Sequence, residues 1–471
     1  MGYFYSKGEK KTRPGLYQRY ENRGSSPTTG ALIGYCAVTI QADWGPLNKV
    51  VTLGLGSTPT NTFGTGGTVN AVEALFNGGA NTVHVCRVGT GGTKASCELK
   101  DGASAAAVKV EGLYEGTRSF AVSIKEVLGD ATKKEFVLSD GAKVLEKITF
   151  TAGSKEADNL VAAVEEFKSE YVKVTKISDG NGVLTPVQQV ALAGGTNPTV
   201  TTSDYSTGFN ALETYDWNTI TVDTDAKEVH ALLTTYMNRV YQQGKFAVCV
   251  LGAPTTEALE TRFASARANN SELVVYFGSG WVDTTGKTIT GYLAVNHVAG
   301  VIASTSSANS IVHTVIQGAT DLAERLTNEQ YIEAIKSGCL MLSMSPDKQV
   351  WFDAGINTLI TPTADQDEGW KKIKRVAVRN ELMQRMDASI AKKVGKVNND
   401  ADGQADVIQV GQSVLNEMIA EGGKIMEGAT FYLDKANPPQ GDEAWFVIDA
   451  DDVDAMEKIY LLYRFRYSQL A

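Results

Sequence analysis

Apolar residues recur along this chain with two different periods. In ALIGYCAVTI (31–40), KVVTL (49–53) and NTVHVCRV (81–88) they run almost unbroken, as in strands covered on both faces. Between the last two runs, Val72, Leu75 and Phe76 fall on one side of a helix over Thr68–Asn77, which Gly78-Gly79 stops. Over 96–198 the pattern changes to alternation (AVKVEGLY, SFAVSIKEV, KEFVLSD, VLEKITF, YVKVTKI) with one helix near Asp158–Lys168. Unbroken runs then return as WNTITV (217–222), FAVCVLG (246–252) and ELVVYFG (272–278). Helices separate them. The first carries the stripe Val229, Leu232, Leu233, Tyr236, Val240 and is expected to be capped by Asp223 or Asp225. Others fall at Glu257–Arg267 and near Tyr292–Ile302.

The remainder reads as a helix from Asn328 to Gly338, short strands in CLMLS, QVWFD and INTLIT, a longest helix over Glu368–Val394, and a further helix over Val407–Glu421. AWFVIDA (444–450) and Ile459–Tyr467 close the chain as strands. In the last strand Ile459, Leu461, Tyr463, Phe465 and Tyr467 share one face, and Tyr460, Leu462, Arg464 and Arg466 the other. The pattern therefore predicts an α/β (α+β) multidomain chain. A helix-covered mixed-sheet core domain is discontinuous, over 25–95 and 199–365. A mostly-β domain over 96–198 is inserted between Gly89–Gly92 and Gly194-Gly195. A C-terminal subdomain follows at 366–455, and arms lie at 1–24 and 456–471.

A length of 471 residues admits about two to four domains. The 46 glycines against 11 prolines fit many tight turns. A net charge of −10 argues against general nucleic-acid binding, which depends on neutralising phosphates. No apolar stretch reaches the length of a membrane helix. The N-terminus has no apolar run behind its basic residues, so neither membrane insertion nor a secretory signal is expected. Cys36, Cys86, Cys97, Cys249 and Cys339 form no CxxC pair, and the expectation is reduced, buried thiols.

Tests for chemistry return little. Gly286-Lys287-Thr288 ends like a phosphate loop, but the required first glycine is Trp281. The third glycine of a dinucleotide fingerprint is missing after Gly54-Leu55-Gly56 and after Gly64-Thr65-Gly66. His84, His230, His297 and His313 show no ligand spacing, and His84 and His297 sit in apolar runs. The stretch Asn398–Gly403 resembles a calcium loop but lacks its first Asp and its closing Glu, and reads as a turn between helices. No catalytic residue, cofactor or metal is expected. Lys371, Lys372, Lys374, Arg375 and Arg379 crowd the start of the basic helix and Lys392, Lys393 and Lys396 its end. They read as a solvated face or as a dock for an acidic partner.

Several short motifs carry a family resemblance by their order: Arg13-Pro14-Gly15-Leu16-Tyr17, Gly30–Gly34, Asp43-Trp44-Gly45-Pro46, Leu192–Asn197, Ser203-Asp204-Tyr205, Trp217-Asn218, Gly338-Cys339-Leu340, Ile356–Leu359 and Asp454–Tyr460. With them the chain resembles contractile-tail sheath proteins of bacteriophages, including prophage-like and R-type bacteriocin particles of Gram-positive bacteria. The resemblance implies a structural subunit, not an enzyme. Such subunits stack as hexameric rings around an inner tube and contract to drive it through the target envelope. Implied partners are further copies of the chain, the tube protein, and baseplate and tail terminator proteins. The implied place is the tail of a virion or bacteriocin particle assembled in the host cytoplasm. In similar sheaths the terminal arms complete a sheet in neighbouring subunits. Here that implies Leu16, Tyr17, Arg19, Tyr20, Ile459, Tyr460, Leu461, Tyr463, Phe465 and Tyr467. The tube contact would fall on Lys371, Lys372, Lys374, Arg375, Lys392 and Lys393. Two other classes compete: a surface adhesin built on β domains, and an α/β nucleotide-binding enzyme.

Overall fold

The computed structural model describes residues 3–4, 17–18 and 32–466. Its centre is a seven-stranded sheet. In spatial order the strands are Cys339–Leu340, Val274–Phe277, Val248–Gly252, Thr219–Val222, Tyr35–Ile40, Thr82–Arg87 and Val50–Gly54. All neighbours are parallel except the last pair. Helices cover both faces, which is why these strands are mostly apolar on both sides. Cys36, Val38 and Ile40 pack with helices Asn70–Asn77 and Tyr292–Ser304. Ala37 and Ile220 pack on the other side with helices Thr202–Leu212, Lys227–Gln242 and Leu259–Asn269. The helices of the first face approach closely, because a side chain at Gly300 would strike the backbone of Leu75 and Gly78.

Residues 96–191 form two antiparallel sheets, of four and three strands, with helix Glu156–Phe167 against them. The chain crosses to them and back through a narrow antiparallel neck, where Thr90 faces Thr199, Thr93 faces Thr196 and Ser96 faces Ala193. A second joint comes from the core side. Trp44 is buried among Tyr114, Phe120 and Tyr171 of the insert, with ring centroids 4.9, 5.3 and 5.5 Å away. The Arg118 guanidinium lies 5.3 Å from the Trp44 ring, pairs with Asp140 at 2.8 Å and donates to the Asn61 carbonyl at 2.8 Å. Fully buried Arg87 donates to the carbonyls of Ala42, Gly45 and Glu115. Burial brings its guanidinium down to about 10.

Several sequence expectations change. Neither Asp223 nor Asp225 caps helix Lys227–Gln242, whose N-cap is Ala226. Asp223 is turned inward, and Asp225 accepts the Tyr292 backbone N–H at the start of another helix. The INTLIT stretch is not a strand. Asn357 donates to the Trp370 carbonyl at 2.7 Å and the Thr358 N–H to the Val274 carbonyl at the start of a core strand, so its polar groups find scattered partners instead of a ladder. The helix expected at Glu368–Val394 splits into a 3-10 turn at Glu368–Lys371, an extended Lys372 and a helix at Ile373–Ile390. The Asp367 carboxylate, accepting the Gly369 N–H at 2.8 Å, fixes that turn. The longest helix is Ala401–Glu421. It starts before Val407 because Asp400 caps it through the Gly403 N–H at 2.9 Å. The stretch 398–403 is thus a helix start as well as a turn.

Candidate assembly interface

The chain's end has two parts with opposite character. Residues 451–457 are a fastened root. Val453 donates to Lys424 and Met426 to Asp451 through the backbone. Lys372 holds Asp454 at 2.6 Å and Glu457 at 3.1 Å, Arg375 holds Asp452 at 2.8 Å, and Lys374 donates to the Val453 carbonyl at 2.7 Å. Burial alone would lower the Lys372 ammonium, but its bonds to Asp454 and Glu457 outweigh burial and raise it. From Lys458 to Arg466 the chain has no regular secondary structure. The strand expected at Ile459–Tyr467 is therefore absent over its described part. A strand needs a ladder partner, and Lys458–Arg466 pair with none among the described residues. Ile459, Tyr460, Leu461, Tyr463 and Phe465 are 69–89% exposed. Leu16, Arg19, Tyr20 and Tyr467 lie outside the described residues. Tyr17 belongs to a short parallel pairing with Tyr3.

The basic helix looks different in three dimensions. Lys372, Lys374 and Arg375 face the acidic root, Lys371 pairs with Glu368 at 2.7 Å, and Lys393 pairs with Asp406 at 2.7 Å. Arg379 stacks on Trp370 at 4.1 Å. Among the described residues, exposed Lys392 makes no ion pair.

Sequence reading missed one strand that matters here. Thr430–Leu433 pairs antiparallel with Phe446–Asp449 as a two-stranded sheet on helix Ala401–Glu421. The Phe431 ring seats over Gly411, where a Cβ would come within 2.7 Å of it. The signal was the alternation Thr430-Phe431-Tyr432-Leu433 after Gly428. Among the described residues, neither outer edge has a strand partner, but the Gln412 side chain caps the Thr430–Leu433 edge, accepting the Phe431 N–H at 3.0 Å and donating to the Ala429 carbonyl at 3.0 Å. That leaves Phe446–Asp449 as the open edge, and a pair of strands with an open edge is marginal alone and is a template for addition.

The places where an α/β protein holds a small ligand are filled by the chain itself. Strand order reverses between Tyr35–Ile40 and Thr219–Val222, the usual crevice for a nucleotide. There Asp223 accepts from the Gln41 N–H at 2.9 Å, the Tyr205 hydroxyl at 2.9 Å and the Thr68 hydroxyl. Gly278 and Gly280 admit the Cys339 thiol and the Ile289 carbonyl, not an anion. Gly286-Lys287-Thr288 closes a hairpin in which the Asp283 carboxylate accepts from the Thr285 and Lys287 N–H groups. Cys36, Cys86, Cys249 and Cys339 are buried, and burial raises their thiols. His84 bonds Thr52 and the Asp216 carbonyl at 2.9 and 3.0 Å.

His297 is buried edge-on to Trp281, and burial lowers it to about 4. A base depressed in the folded state contributes stability above its unfolded pKa and loses it as pH falls. Between pH 6.5 and 4 this costs about 3 kcal/mol. His297→Phe should therefore flatten the fall in Tm over that window relative to the natural chain, measured by calorimetry. An unchanged pH profile would contradict the assignment.

Comparison with known proteins gives this arrangement a context. Residues 199–358, which carry four of the seven strands of the central sheet, match the family model described as the phage tail sheath protein central domain. The chain is 23% identical to the phage-like element PBSX protein XkdK of Bacillus subtilis, over 97% of this chain and 98% of that one. A sheath tail protein of Desulfitobacterium hafniense shares the fold with a TM-score of 0.71 and 21% identity, over 93% of this chain and all of that one. The anti-feeding prophage helical sheath in its contracted state shares it with a TM-score of 0.52 and 12% identity, over 97% and 99%. The mixed α/β fold and the likeness to phage tail sheath proteins expected from sequence hold.

Proposed function

We propose that this chain, with its phage tail sheath central domain, is the subunit of a contractile sheath that stacks as hexameric rings around an inner tube and shortens to drive that tube through a cell envelope. One observation carries the reading. Over its described part the segment after Glu457 is strand-patterned, with an apolar face that is exposed and unpartnered, and the subdomain before it holds a two-stranded sheet with an open edge at Phe446–Asp449. Arms exchanged between neighbouring subunits can close such an edge. Backbone pairing through an arm lets subunits swing without separating, whereas packed cores tolerate little deformation. The work then comes from assembly and needs no nucleotide, in keeping with a structural rather than catalytic role.

In this reading the core domain spans 25–95 and 199–365, the insert 96–198, the C-terminal subdomain 366–455 and the arms 1–24 and 456–471. Partners are other copies, the tube protein, the baseplate and the terminator. The particle is a phage-like tail assembled inside the producing cell. For the tube contact, Lys371, Lys372, Arg375 and Lys393 are ion-paired within the chain and Lys374 bonds the Val453 carbonyl, which shifts the weight to Lys392 and, after it, to its neighbour Lys393 at the far end of the basic helix. Negative-stain microscopy of the chain co-expressed with the tube protein of its own tail should show long tubes with stacked rings. The variant K392E/K393E should show mostly bare tubes and free subunits. Monodisperse particles from the natural chain would overturn the sheath reading; normal sheathed tubes from the variant would remove only the tube contact.

A further inference from the structure

The two-stranded sheet has two chemically distinct faces. Phe431, Leu433, Phe446 and Ile448 lie toward helix Ala401–Glu421. Thr430, Tyr432, Val447 and Asp449 lie outward, and the Tyr432 hydroxyl donates to Asp449 at 2.7 Å across that face. The ladder continues at one end, where the Asp434 N–H bonds the Trp445 carbonyl, and resumes at the other after a two-residue shift in register, where the Met426 N–H bonds the Asp451 carbonyl. By the same two-residue alternation, Asp434 and Asp451 join Asp449 on the outward face. Along the inner face cover is incomplete at one edge: Phe431 is 5% exposed, but Ile448 on the other strand is 38% exposed.

The arm has the matching pattern. Residues 458–466 read Lys-Ile-Tyr-Leu-Leu-Tyr-Arg-Phe-Arg, with three cations and no anion. As a strand, Ile459, Leu461, Tyr463 and Phe465 share one wholly apolar face. Lys458, Arg464 and Arg466 all fall on the opposite one. The N-terminal alternative, Leu16–Arg23, divides less cleanly. Tyr17, Arg19, Glu21 and Arg23 share a face, and the other holds Gln18 and Asn22 beside Leu16 and Tyr20.

We infer that the open edge of Phe446–Asp449 receives the C-terminal arm of a second copy of this chain, apolar face toward Ile448 and cationic face over Asp434, Asp449 and Asp451. The inference rests on the arm-exchange reading and adds its charge selection. Opposite charges across neighbouring strands favour a sheet and like charges oppose it. A one-residue slip would turn the cations onto the apolar side, so the same residues also fix register.

The test compares full-length variants by the critical concentration for tube formation. R464E/R466E and D449K/D451K should each raise it about tenfold or more. The four substitutions combined should bring it back toward the natural value. High salt, about 1 M, should narrow the differences. Should D449K/D451K fail to fold, R464K/R466K decides against R464E/R466E, since lysine keeps the charge and assembly should survive. If R464E/R466E assembles normally while I459S/L461S does not, arm exchange stands and the charge selection is overturned. A combined variant that folds but gains nothing over the single reversals also overturns the selection. If a chain ending at Glu457 assembles normally, arm exchange itself falls.

Discussion

A chain truncated after Glu457 is expected to fold as the intact chain does and to form no sheath. Its Tm should move by no more than about 1–2 °C, because the removed described residues are exposed and touch none of the four hydrophobic clusters. The root stays, held by Lys372, Lys374 and Arg375. The loss for assembly is large. Four apolar side chains, Ile459, Leu461, Tyr463 and Phe465, each contribute roughly 1.5–3 kcal/mol when buried, and every subunit donates one set. Sedimentation velocity should show monomers at concentrations where the intact chain pellets as tubes. Deleting residues 1–23 should have the same effect through the other arm. Tubes of normal length from either deletion would remove the exchange mechanism, while a collapsed Tm would show that the arm belongs to the subunit's own core.

The second large effect concerns the joint between core and insert. Trp44→Ala should destabilise the chain by about 3–5 kcal/mol, the usual cost of emptying a buried aromatic site. Trp44 is 4% exposed and, with Ala95 at the neck, is one of two core-side residues in the insert's hydrophobic cluster among the described residues. Its removal also strips the ring beside Arg118, leaving that guanidinium with a void on one side. The insert would then depend on the Thr90–Thr199 neck and on the bonds of Arg118 to the Asn61 carbonyl and of Arg87 to the Glu115 carbonyl. Limited proteolysis should cut Gly89–Gly92 and Gly194-Gly195 sooner and release a stable fragment of the insert. Trp44→Phe should keep most of the joint. If Trp44→Ala melts like the natural chain and resists cleavage, the loop is an ornament and the neck alone sets the insert's position.

The central sheet was legible because period and length are local properties. Unbroken apolar runs such as Val248–Gly252 and Val274–Phe277 have no stable place except between two covering layers. The alternating strands of the insert were legible for the matching reason, one wet face and one dry. Errors fell where a polar side chain chose a distant partner. Asp223 and Asp225 sit where caps belong, yet one binds Tyr205 and the other Tyr292. The INTLIT stretch has strand composition but its backbone bonds Val274 and Lys371.

For the candidate interface the division is sharper. The arm's alternating faces, its cations and its lack of acids are fixed by the order of nine residues. So is the basic composition of the helix before it. That Lys372, Lys374 and Arg375 are engaged within the chain was not visible, since Asp452, Val453, Asp454 and Glu457 lie some eighty positions away in sequence. Nor was it visible that the strand at Ile459 would stand alone, or that an open two-stranded sheet waits on the helix at Ala401. Periodicity specifies which face of a segment seeks burial. Only the folded chain shows whether that face has already been covered, because coverage is a relation between residues distant in sequence.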